Sequence, residues 1–358
     1  MSLSVGIVGL PNVGKSTLFN ALTNRSVSAE NYPFCTIDPS VGVVPVKDKR
    51  LDKLHEFSGS DEKTPSVFEF VDIAGLIQGA ADGEGLGNEF LENIRGVDAL
   101  AHVVRTFNDT DVHHVDGSVD PVRDIETITF ELIASDLDAV TARLEDLEGA
   151  VKTGEKEAET EHELLQDAVD LLDDGRMLNE GDFSQADFAV FRRLGLLSIK
   201  PMLFVFNTKS DADDSVLDEA KAYADKHGIH HVVMDAGLEY EMTEMKEGQK
   251  DEFRQEHNLN GLHDLIQSGF DLLDLITFFT TGDTETRGWP VKRGATAPQA
   301  AGRIHSDFQE NFIRAEVINW QTLLEAGSYA QARENGEIRT EGSDYLVQDG
   351  DVIEFLHD

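Results

Sequence analysis

Cysteine and tryptophan are scarce in this sequence, and long apolar runs are missing from it. One cysteine, Cys35, and two tryptophans occur among 358 residues. A single cysteine excludes an internal disulfide, which fits a reducing compartment. No apolar run approaches the roughly 18 residues that span a membrane, and no basic segment leads into an apolar stretch at the N-terminus. These absences predict a soluble, cytoplasmic protein from which nothing is cleaved and which has no membrane partner.

Basic residues are also few relative to acidic ones. The chain has 30 lysines and arginines against 69 aspartates and glutamates, a formal net charge of −39. Such self-repulsion is expected where molar salt screens it, so we favour a high-salt cytoplasm as the hypothesis. Because the acidity is spread over every segment, it says little about partners. The length allows two or three domains, each with its own core.

A short apolar strand, a GxxxxGKS loop and an apolar helix follow one another from Val5 to Thr17 and beyond. Gly9 and Gly14 let the backbone bend until its N–H groups converge on a polyphosphate, which the helix N-terminus also attracts. Lys15 is expected to reach the β- and γ-phosphates, and the Ser16 hydroxyl to ligate Mg²⁺. An incidental glycine-rich turn would lack this strand and helix. The pattern therefore predicts a phosphate-binding loop.

Two later segments have the features of nucleotide switches. Thr36 follows the loop at about the distance from which a threonine closes over the γ-phosphate and completes the Mg²⁺ shell. A buried-type strand at residues 67–71 leads to Asp72, which can hold a Mg²⁺-bound water, and to Gly75, whose N–H can meet the γ-phosphate. Leu76 stands where a Ras-like hydrolase carries the glutamine that orients water. Hydrolysis must then use another group, a partner or a slow water-only route.

Three histidines lie near these motifs. His102 falls within an apolar strand predicted at residues 97–104, and we interpret it as a core histidine whose nitrogens are hydrogen-bonded. His113 and His114 lie in a polar loop and could approach the phosphates. Metal ligation by this pair is not expected, because no cysteine or carboxylate stands at ligand spacing.

The next apolar strand, predicted at residues 202–206, ends in NTKS at residues 207–210, where a GTPase reads Asn-Lys-x-Asp. Ser210 replaces the carboxylate that accepts from guanine N1–H and N2–H₂, and Asp211 lies one residue late. A bidentate charge-assisted contact of this kind is worth about 1–3 kcal/mol. Adenine is therefore favoured over guanine. Residues 235–237 are expected to form the far wall of the base pocket.

From Glu131 onwards the apolar period changes. Apolar residues recur at steps of four and three between Ile133 and Val151, and the stripe resumes from Leu164 to Leu172. This spacing is typical of packed helices and predicts two antiparallel helices over residues 131–172, forming a charged hairpin. Two readings remain open: a surface-packed insert, or a lever that touches a partner.

The chain beyond about residue 275 consists of short strands and turns, which fit a small β-grasp sheet with one helix. Residues 286–306 contain no acidic residue but do contain four basic ones, Arg287, Lys292, Arg293 and Arg303. Beside Trp289, they form either an RNA-facing surface or a patch that neutralises the acidic nucleotide domain.

These segments resemble those of the YchF family, the Obg-like ATPases, over nearly the whole chain. The matching strings are GIVGLPNVGKSTLFNALT from residue 6, NYPFCTIDPSVGVV from 31, FVDIAGL from 70, GEGLGNEFLENIR from 83, GATAPQAAGRIHSDFQENFIRAEVI from 294 and YLVQDGDVIEF from 345. The resemblance implies an α/β fold: a P-loop NTPase domain of the Ras-like, TRAFAC type with an inserted antiparallel helical hairpin, followed by a ubiquitin-like β-grasp TGS domain. It places these at residues 1–130 and 199–274 for the nucleotide domain, 131–198 for the insertion and 275–358 for the TGS domain.

The resemblance also implies an Mg²⁺-dependent ATPase that prefers ATP over GTP, hydrolyses it slowly and associates with the ribosome, through the large subunit. Potassium is a further candidate cofactor, and residues 287–314 a candidate RNA contact. The implied nucleotide-binding residues are Asn12, Val13, Gly14, Lys15, Ser16, Thr17, Gly75, Asn207 and Thr208, the last through its backbone to adenine. The implied metal ligands are Ser16, Thr36 and Asp72, and the implied catalytic residues are Lys15 and His114.

Ser210 departs from the family pattern, which is Asn-x-x-Glu, so base selection depends on other groups. Two alternatives to this function are kept. One is a translation-associated GTPase. The other is a ribosome- or RNA-binding module in which the nucleotide is only a ligand and turnover is incidental.

Overall fold

The computed structural model describes residues 3–24, 38, 40–73, 88–109, 117–257 and 259–357. Within these ranges the strands are β1 Ser4–Val8, β2 Val41–Pro45, β3 Glu62–Thr64, β4 Val67–Asp72, β5 Ala99–Arg105, β6 Met202–Asn207, β7 His231–Met234, β8 Leu275–Thr281, β9 Glu285–Lys292, β10 Phe312–Asn319, β11 Arg339–Glu341 and β12 Asp351–His357.

The helices in the same part of the chain are α1 Lys15–Thr23, α2 Lys49–Ser58, α3 Asn88–Arg95, α4 Pro121–Lys152, α5 Lys156–Asp173, α6 Gln185–Arg193, α7 Asp214–His227, α8 Ala236–Glu244, α9 Glu247–Glu256, α10 Gly261–Leu272, α11 Ala297–Ile304, α12 Ser306–Glu310, α13 Trp320–Ala326 and α14 Tyr329–Glu334. None of these helices combines the length and apolar composition needed to cross a bilayer.

The chain divides into two compact units. The larger unit comprises the described residues within 3–24 and 70–269, and the smaller unit comprises the described residues within 38–69 and 270–357. The smaller unit is therefore built from two separate stretches of sequence. The domain boundaries expected at residues 130, 198 and 274 stay predictions.

A parallel sheet forms the centre of the larger unit. Within this unit the strand order is β4-β1-β5-β6-β7, and strands β1, β5, β6 and β7 pair in parallel. Every residue of β1, β5 and β6 is buried. Strands that are covered on both faces consist of continuous runs of apolar residues, and such runs made these strands predictable from the sequence. The chain order reverses between β1 and β5, and ligands of open α/β sheets bind at such a switch point.

Helices α4 and α5 fold back on each other through the turn at Gly154, which has a φ of 80°. Arg143 on α4 and Arg193 on α6 both pair with Glu161 on α5, at 2.9 and 3.2 Å. Helix α4 begins ten residues before the predicted stripe, because Asp120 caps it by accepting the N–H of Arg123 at 3.0 Å. Asp120 is an N-cap residue that can be recognised in the sequence, but the prediction used only the apolar periodicity and therefore placed the start of the helix too late.

The smaller unit contains a sheet in the order β11-β10-β12-β8-β9-β3. Strands β8 and β9 form one antiparallel hairpin, β10 and β12 form an antiparallel pair, and β12 joins β8 in parallel. The edge strand β3 comes from the first half of the chain and runs parallel to β9, with Glu62 opposite Glu285. The central part of this sheet thus contains both parallel and antiparallel pairs. Residues 275–358 form the four helices α11 to α14 within the described part of the chain, whereas the sequence suggested one helix.

Helix α2, also from the first half of the chain, closes one face of this sheet. Its Leu51 and Leu54 are buried in an apolar cluster with Phe279 and Leu323. Arg50 pairs with Asp349 at 2.6 Å. Residues 48–64 are therefore an integral part of the smaller unit's core, although more than 200 residues separate them from the rest of it.

Candidate nucleotide-binding site

The loop between β1 and α1 has the backbone shape that an anion site needs. Asn12 has a φ of 64° and Gly14 a φ of 103°, so residues with positive φ lie on both sides of Val13, whose φ is not positive. Gly14 is the N-cap of α1 and no side chain caps the helix there. The first N–H groups of α1 are thus not capped by a side chain, and a helix N-terminus in this state attracts phosphate.

Both motif glycines are required by close approach as well as by φ. A Cβ on Gly14 would lie 2.2 Å from Nδ2 of Asn207, and one on Gly9 would lie 2.4 Å from the carbonyl oxygen of Val103. Neither contact is tolerable, because the facing atoms belong to a buried amide and to a backbone. The sequence pattern predicted both glycines for their flexibility, and the structure adds packing against β5 and β6 as a second reason.

Lys15 lies at the start of α1 and is almost fully buried, with 5% of its surface exposed. Its Nζ donates to the carbonyl oxygen of Leu10 at 2.6 Å, within the loop itself. Burial lowers its pKa to about 8, while the negative charge of Asp72 acts in the opposite direction. The lysine is thus held over the loop, where a polyphosphate would replace the carbonyl as its partner.

Asn207, the last residue of β6, braces the loop. Its Nδ2 donates to the carbonyl oxygen of Val13 at 2.8 Å, and its Oδ1 accepts the N–H of Ala236 at 3.1 Å. One buried amide therefore connects the phosphate loop to the start of α8. Removing it would leave a buried donor and a buried acceptor unpaired, each at a cost of about 1–3 kcal/mol.

A cavity of about 350 Å³ opens beside this loop. Its size lies within the usual range for small-molecule sites. It is lined by Asn12, Gly14, Lys15, Ser16, Thr17, Arg105, Phe107, Asp109, Asn207, Lys209, Asp235, Ala236 and Gly237. The loop residues and the expected far wall at residues 235–237 therefore meet at one site, at the carboxyl ends of the parallel strands.

Three of the predicted nucleotide or metal residues lie near this cavity but not on its surface. Val13 is buried and presents its carbonyl to Asn207. Thr208 donates its N–H to the carbonyl oxygen of Met234 at 2.9 Å, which leaves its own carbonyl as the group that could face a base. Asp72 ends β4 and acts on Lys15 through its charge. Thr36, Gly75 and His114 lie outside the described residues.

Sequence reasoning missed three lining residues that follow β5 or end it. Arg105 donates from Nε to the carbonyl oxygen of Phe107 at 2.8 Å and lies 4.7 Å from the centroid of the Phe107 ring. Lys209 lies at the same distance from that ring and pairs with Asp109 at 2.7 Å. The available signal was their position directly after an apolar strand, where the carboxyl edge of a parallel sheet places ligand-facing groups.

His102 corrects one prediction. The ring is fully buried on β5 against Phe204, as a core histidine would be, but neither nitrogen has a hydrogen-bond partner among the described residues. Burial lowers its pKa to about 3, and the nearby charge of Lys15 acts in the same direction. The histidine is therefore a neutral, unsatisfied core residue, because the neighbouring strands offer it apolar side chains.

The basic segment of the smaller unit is less exposed than the sequence suggested. Arg287 is 9% exposed and stacks on Trp289 at 4.1 Å from the ring centroid, and Arg293 pairs with Asp274 at 3.1 Å. Lys292 and Arg314 are exposed. Arg293 thus pairs with an acidic residue of its own unit, whereas the sequence suggested neutralisation of the acidic nucleotide domain; that alternative and the RNA-facing surface both stay predictions.

A glycine loop with an inward lysine, between a buried parallel strand and an uncapped helix, defines a P-loop nucleotide hydrolase. Comparison with known proteins identifies the particular family. A profile described as a 50S ribosome-binding GTPase matches residues 4–134, and the YchF GTPase C-terminal profile, described as a protein of unknown function, matches residues 275–358. The chain belongs to the YchF family, which confirms the resemblance and the P-loop fold class.

The relatives match over their whole length. The chain is 44% identical over 360 residues to the ribosome-binding ATPase YchF of Escherichia coli O157:H7, and 45% identical over 362 residues to that of Bacillus subtilis, covering 99% of each chain in both comparisons. The structure of the Schizosaccharomyces pombe YchF GTPase superposes with a TM-score of 0.89 at 34% identity, covering 99% of this chain and 98% of that one.

Proposed function

We propose that this protein is an Mg²⁺-dependent ATPase that prefers ATP over GTP and whose nucleotide state governs its association with the ribosome. The observation that carries the proposal is the buried Lys15 held over a left-handed glycine loop at the edge of a 350 Å³ cavity. A triphosphate in that cavity would meet a cation and uncapped helix N–H groups. Catalysis would be mostly electrostatic, from these same groups.

The chemistry of the donor set fits magnesium. Ser16 is exposed at the start of α1, next to Lys15, and Asp72 lies close enough for its charge to act on that lysine. A hydroxyl and a carboxylate are the oxygen ligands that Mg²⁺ prefers, together with substrate phosphates and waters. The ion would neutralise developing charge on the phosphates. Thr36 remains the proposed further ligand, with Gly75 and His114 proposed at the γ-phosphate.

The preference for ATP is supported by what faces the cavity. Ser210 and Asp211 are both exposed and neither lines it. The two carboxylates that do are already bonded, Asp109 to Lys209, and Asp235 to the N–H of Leu238 at 3.0 Å. Guanine would therefore find no ready carboxylate for its N1–H and N2–H₂ groups, whereas adenine needs none.

A GTPase is the second candidate, because the Schizosaccharomyces pombe relative is a YchF GTPase and the matching profile describes a ribosome-binding GTPase. Isothermal titration of both nucleotides with Mg²⁺ in concentrated KCl separates the two. We expect ATP to bind at least about tenfold more tightly; tight GTP with negligible ATP binding would reverse the assignment. Replacing KCl by NaCl in a turnover assay tests potassium as the further cofactor.

Lys15→Ala tests the site itself. Losing a charge-assisted contact to phosphate costs about 2–3 kcal/mol, so we expect ATP affinity to fall by roughly 30-fold or more and turnover to be lost. Lys152→Ala, which removes an exposed lysine of α4, is the matched control and should change neither. Normal turnover in Lys15→Ala would exclude the proposed mechanism.

Ribosome binding is proposed because the bacterial relatives are ribosome-binding ATPases and the family profile over residues 4–134 describes a 50S ribosome-binding GTPase. Such binding would place the protein in the cytoplasm and on the large subunit. Because Arg287 is buried, an RNA contact within residues 287–314 would depend on Lys292 and Arg314. Co-sedimentation with ribosomes in ATP, ADP and a non-hydrolysable analogue tests the switch. Substituting both residues by alanine should weaken binding and reduce its salt dependence.

A further inference from the structure

A second cavity lies within the smaller unit, where the two halves of its sheet come apart. Hairpin β8–β9 is paired along its whole length, and so is β10–β12. The described register between β8 and β12 contains one pair, Val352 opposite Phe279. Beyond that pair the two strands line a cavity of about 500 Å³, which is larger than the one beside the phosphate loop.

The walls of this second cavity are mainly apolar and aromatic. Trp289 from β9, Phe355 from β12, Phe308 from α12 and Tyr329 from α14 all face it. The Trp289 Nε1 donates to the Thr280 hydroxyl at 2.9 Å, so the indole is held in place. A cavity of this size with rigid aromatic walls and a few polar groups is the usual form of a small-molecule site.

The polar groups on its wall are arranged unusually. Glu316 on β10 and Glu354 on β12 stand directly opposite each other in the antiparallel register, and both line the cavity. Like charges in such a cross-strand pair are destabilising. Arg333 forms an ion pair with Glu316. Glu354 is exposed, and in the described part of the chain nothing bonds to its carboxylate. Burial raises the pKa of the Tyr329 hydroxyl, and the nearby negative charge of Glu354 acts in the same direction.

The third acidic group on the wall already has partners. Glu285 accepts from the Thr64 hydroxyl at 2.5 Å and lies 3.6 Å from Arg287. One carboxylate, Glu354, is therefore left for a ligand, beside aromatic and aliphatic walls. We propose that this cavity binds a ligand carrying one protonated primary amine on an apolar body, with the ammonium at Glu354 and the apolar part against Trp289 and Phe355.

A primary ammonium group on an apolar body can belong to a free amine or to a lysine side chain of a polypeptide. Phenethylamine represents the first and N-acetyl-lysine methylamide the second. Each is titrated into the full-length Trp320→Phe protein at constant KCl. Because the chain has two tryptophans, Trp289 alone then reports on the cavity. We expect saturable fluorescence changes in the millimolar range or below, with the tighter of the two probes identifying the source.

Two further comparisons test whether binding requires the charge of the amine and whether the amine binds at Glu354. Phenethyl alcohol, the neutral analogue, should bind at least about tenfold more weakly than phenethylamine. Glu354→Gln should weaken phenethylamine binding by a similar factor. Glu310→Gln removes an exposed carboxylate that does not line the cavity, and it should change the affinity for phenethylamine by no more than about twofold. The Gln variants keep the shape of the side chain, so both are expected to fold.

Three results would overturn the proposal. The first is no saturable change with either amine, the second is equal binding of amine and alcohol, and the third is an equal loss in Glu354→Gln and Glu310→Gln, which would show general attraction to an acidic protein. The test does not depend on the ATPase proposal, because the cavity lies entirely within the smaller unit.

Discussion

Replacing His102 by leucine measures what the chain loses by burying an imidazole in an apolar strand. The ring is fully buried on β5, and its nitrogens find no hydrogen-bond partner in the described ranges. A buried polar group left unsatisfied costs about 1–3 kcal/mol, and a shape change in a packed core costs up to about 1.5 kcal/mol. We therefore expect His102→Leu to raise the free energy of unfolding by about 1 kcal/mol at pH 7.5.

The advantage of the leucine variant should grow as the pH falls. Histidine in an unfolded chain has a pKa of about 6.5, whereas burial lowers that of His102 to about 3. Between these values the unfolded state takes up a proton that the folded state excludes, so the parent protein loses stability as the pH falls. The linkage amounts to about 1.4 kcal/mol between pH 7.5 and 5.5, and about 1.3 kcal/mol for the next unit.

Urea unfolding followed by circular dichroism, at pH 7.5, 6.5 and 5.5 in concentrated KCl, measures this difference. The acidic side chains titrate in both proteins and cancel in the comparison. His263→Leu, which removes an exposed histidine of α10, is the matched control and should follow the parent. A difference between His102→Leu and parent that stayed constant with pH would refute the idea that the imidazole is held uncharged.

Three further predictions concern the phosphate loop, the smaller unit and the charge. ATP affinity should fall roughly tenfold between pH 7 and pH 9, because the pKa of Lys15 in the free protein is about 8 and only the charged lysine holds phosphate. Titration calorimetry at both pH values measures this change. Equal ATP affinity at pH 7 and pH 9 would contradict the prediction. Leu54→Ala should destabilise the smaller unit by about 2–5 kcal/mol, because the side chain is fully buried against residues from the far end of the sequence. Tryptophan fluorescence during unfolding measures this loss, and Glu56→Ala, which changes an exposed residue of α2, is the surface control. An unchanged unfolding midpoint would show that α2 is not part of that core. The melting temperature should rise between 0.1 and 2 M KCl, because salt screens a net charge of −39; greatest stability in dilute buffer would argue against a high-salt environment.

The phosphate loop could be predicted because its geometry is set locally. Gly9 and Gly14 stand at fixed spacing between a strand and a helix, and that spacing alone dictates the bend of the backbone. Asn207 was predicted at the site because it begins the NTKS segment, which follows an apolar strand where a GTPase reads the base, and because the family resemblance implies it. Its buried bonds to Val13 and Ala236 follow from packing and not from any motif.

Other features had no local signal. Whether the nitrogens of His102 find partners depends on which side chains neighbouring strands present, and a sequence does not state this. Arg105 and Phe107 are residue types that surface loops also use, so their place at the cavity needed the sheet order. The pairing of β3 with β9 brings together two segments that are far apart in the sequence, which costs loop-closure entropy. Only the packing of the complete core offsets that cost, so no local sequence pattern predicts the pairing.

That pairing has a consequence for the nascent chain. Residues 62–64 leave the ribosome about 220 residues before their partners at 285–287, which at 5–20 residues per second is a delay of roughly 10–45 s. Throughout that time the residues that bury Leu51 and Leu54 of α2 in the folded unit, among them Phe279 and Leu323, have not been synthesised. The smaller unit can therefore complete its core only near the end of synthesis.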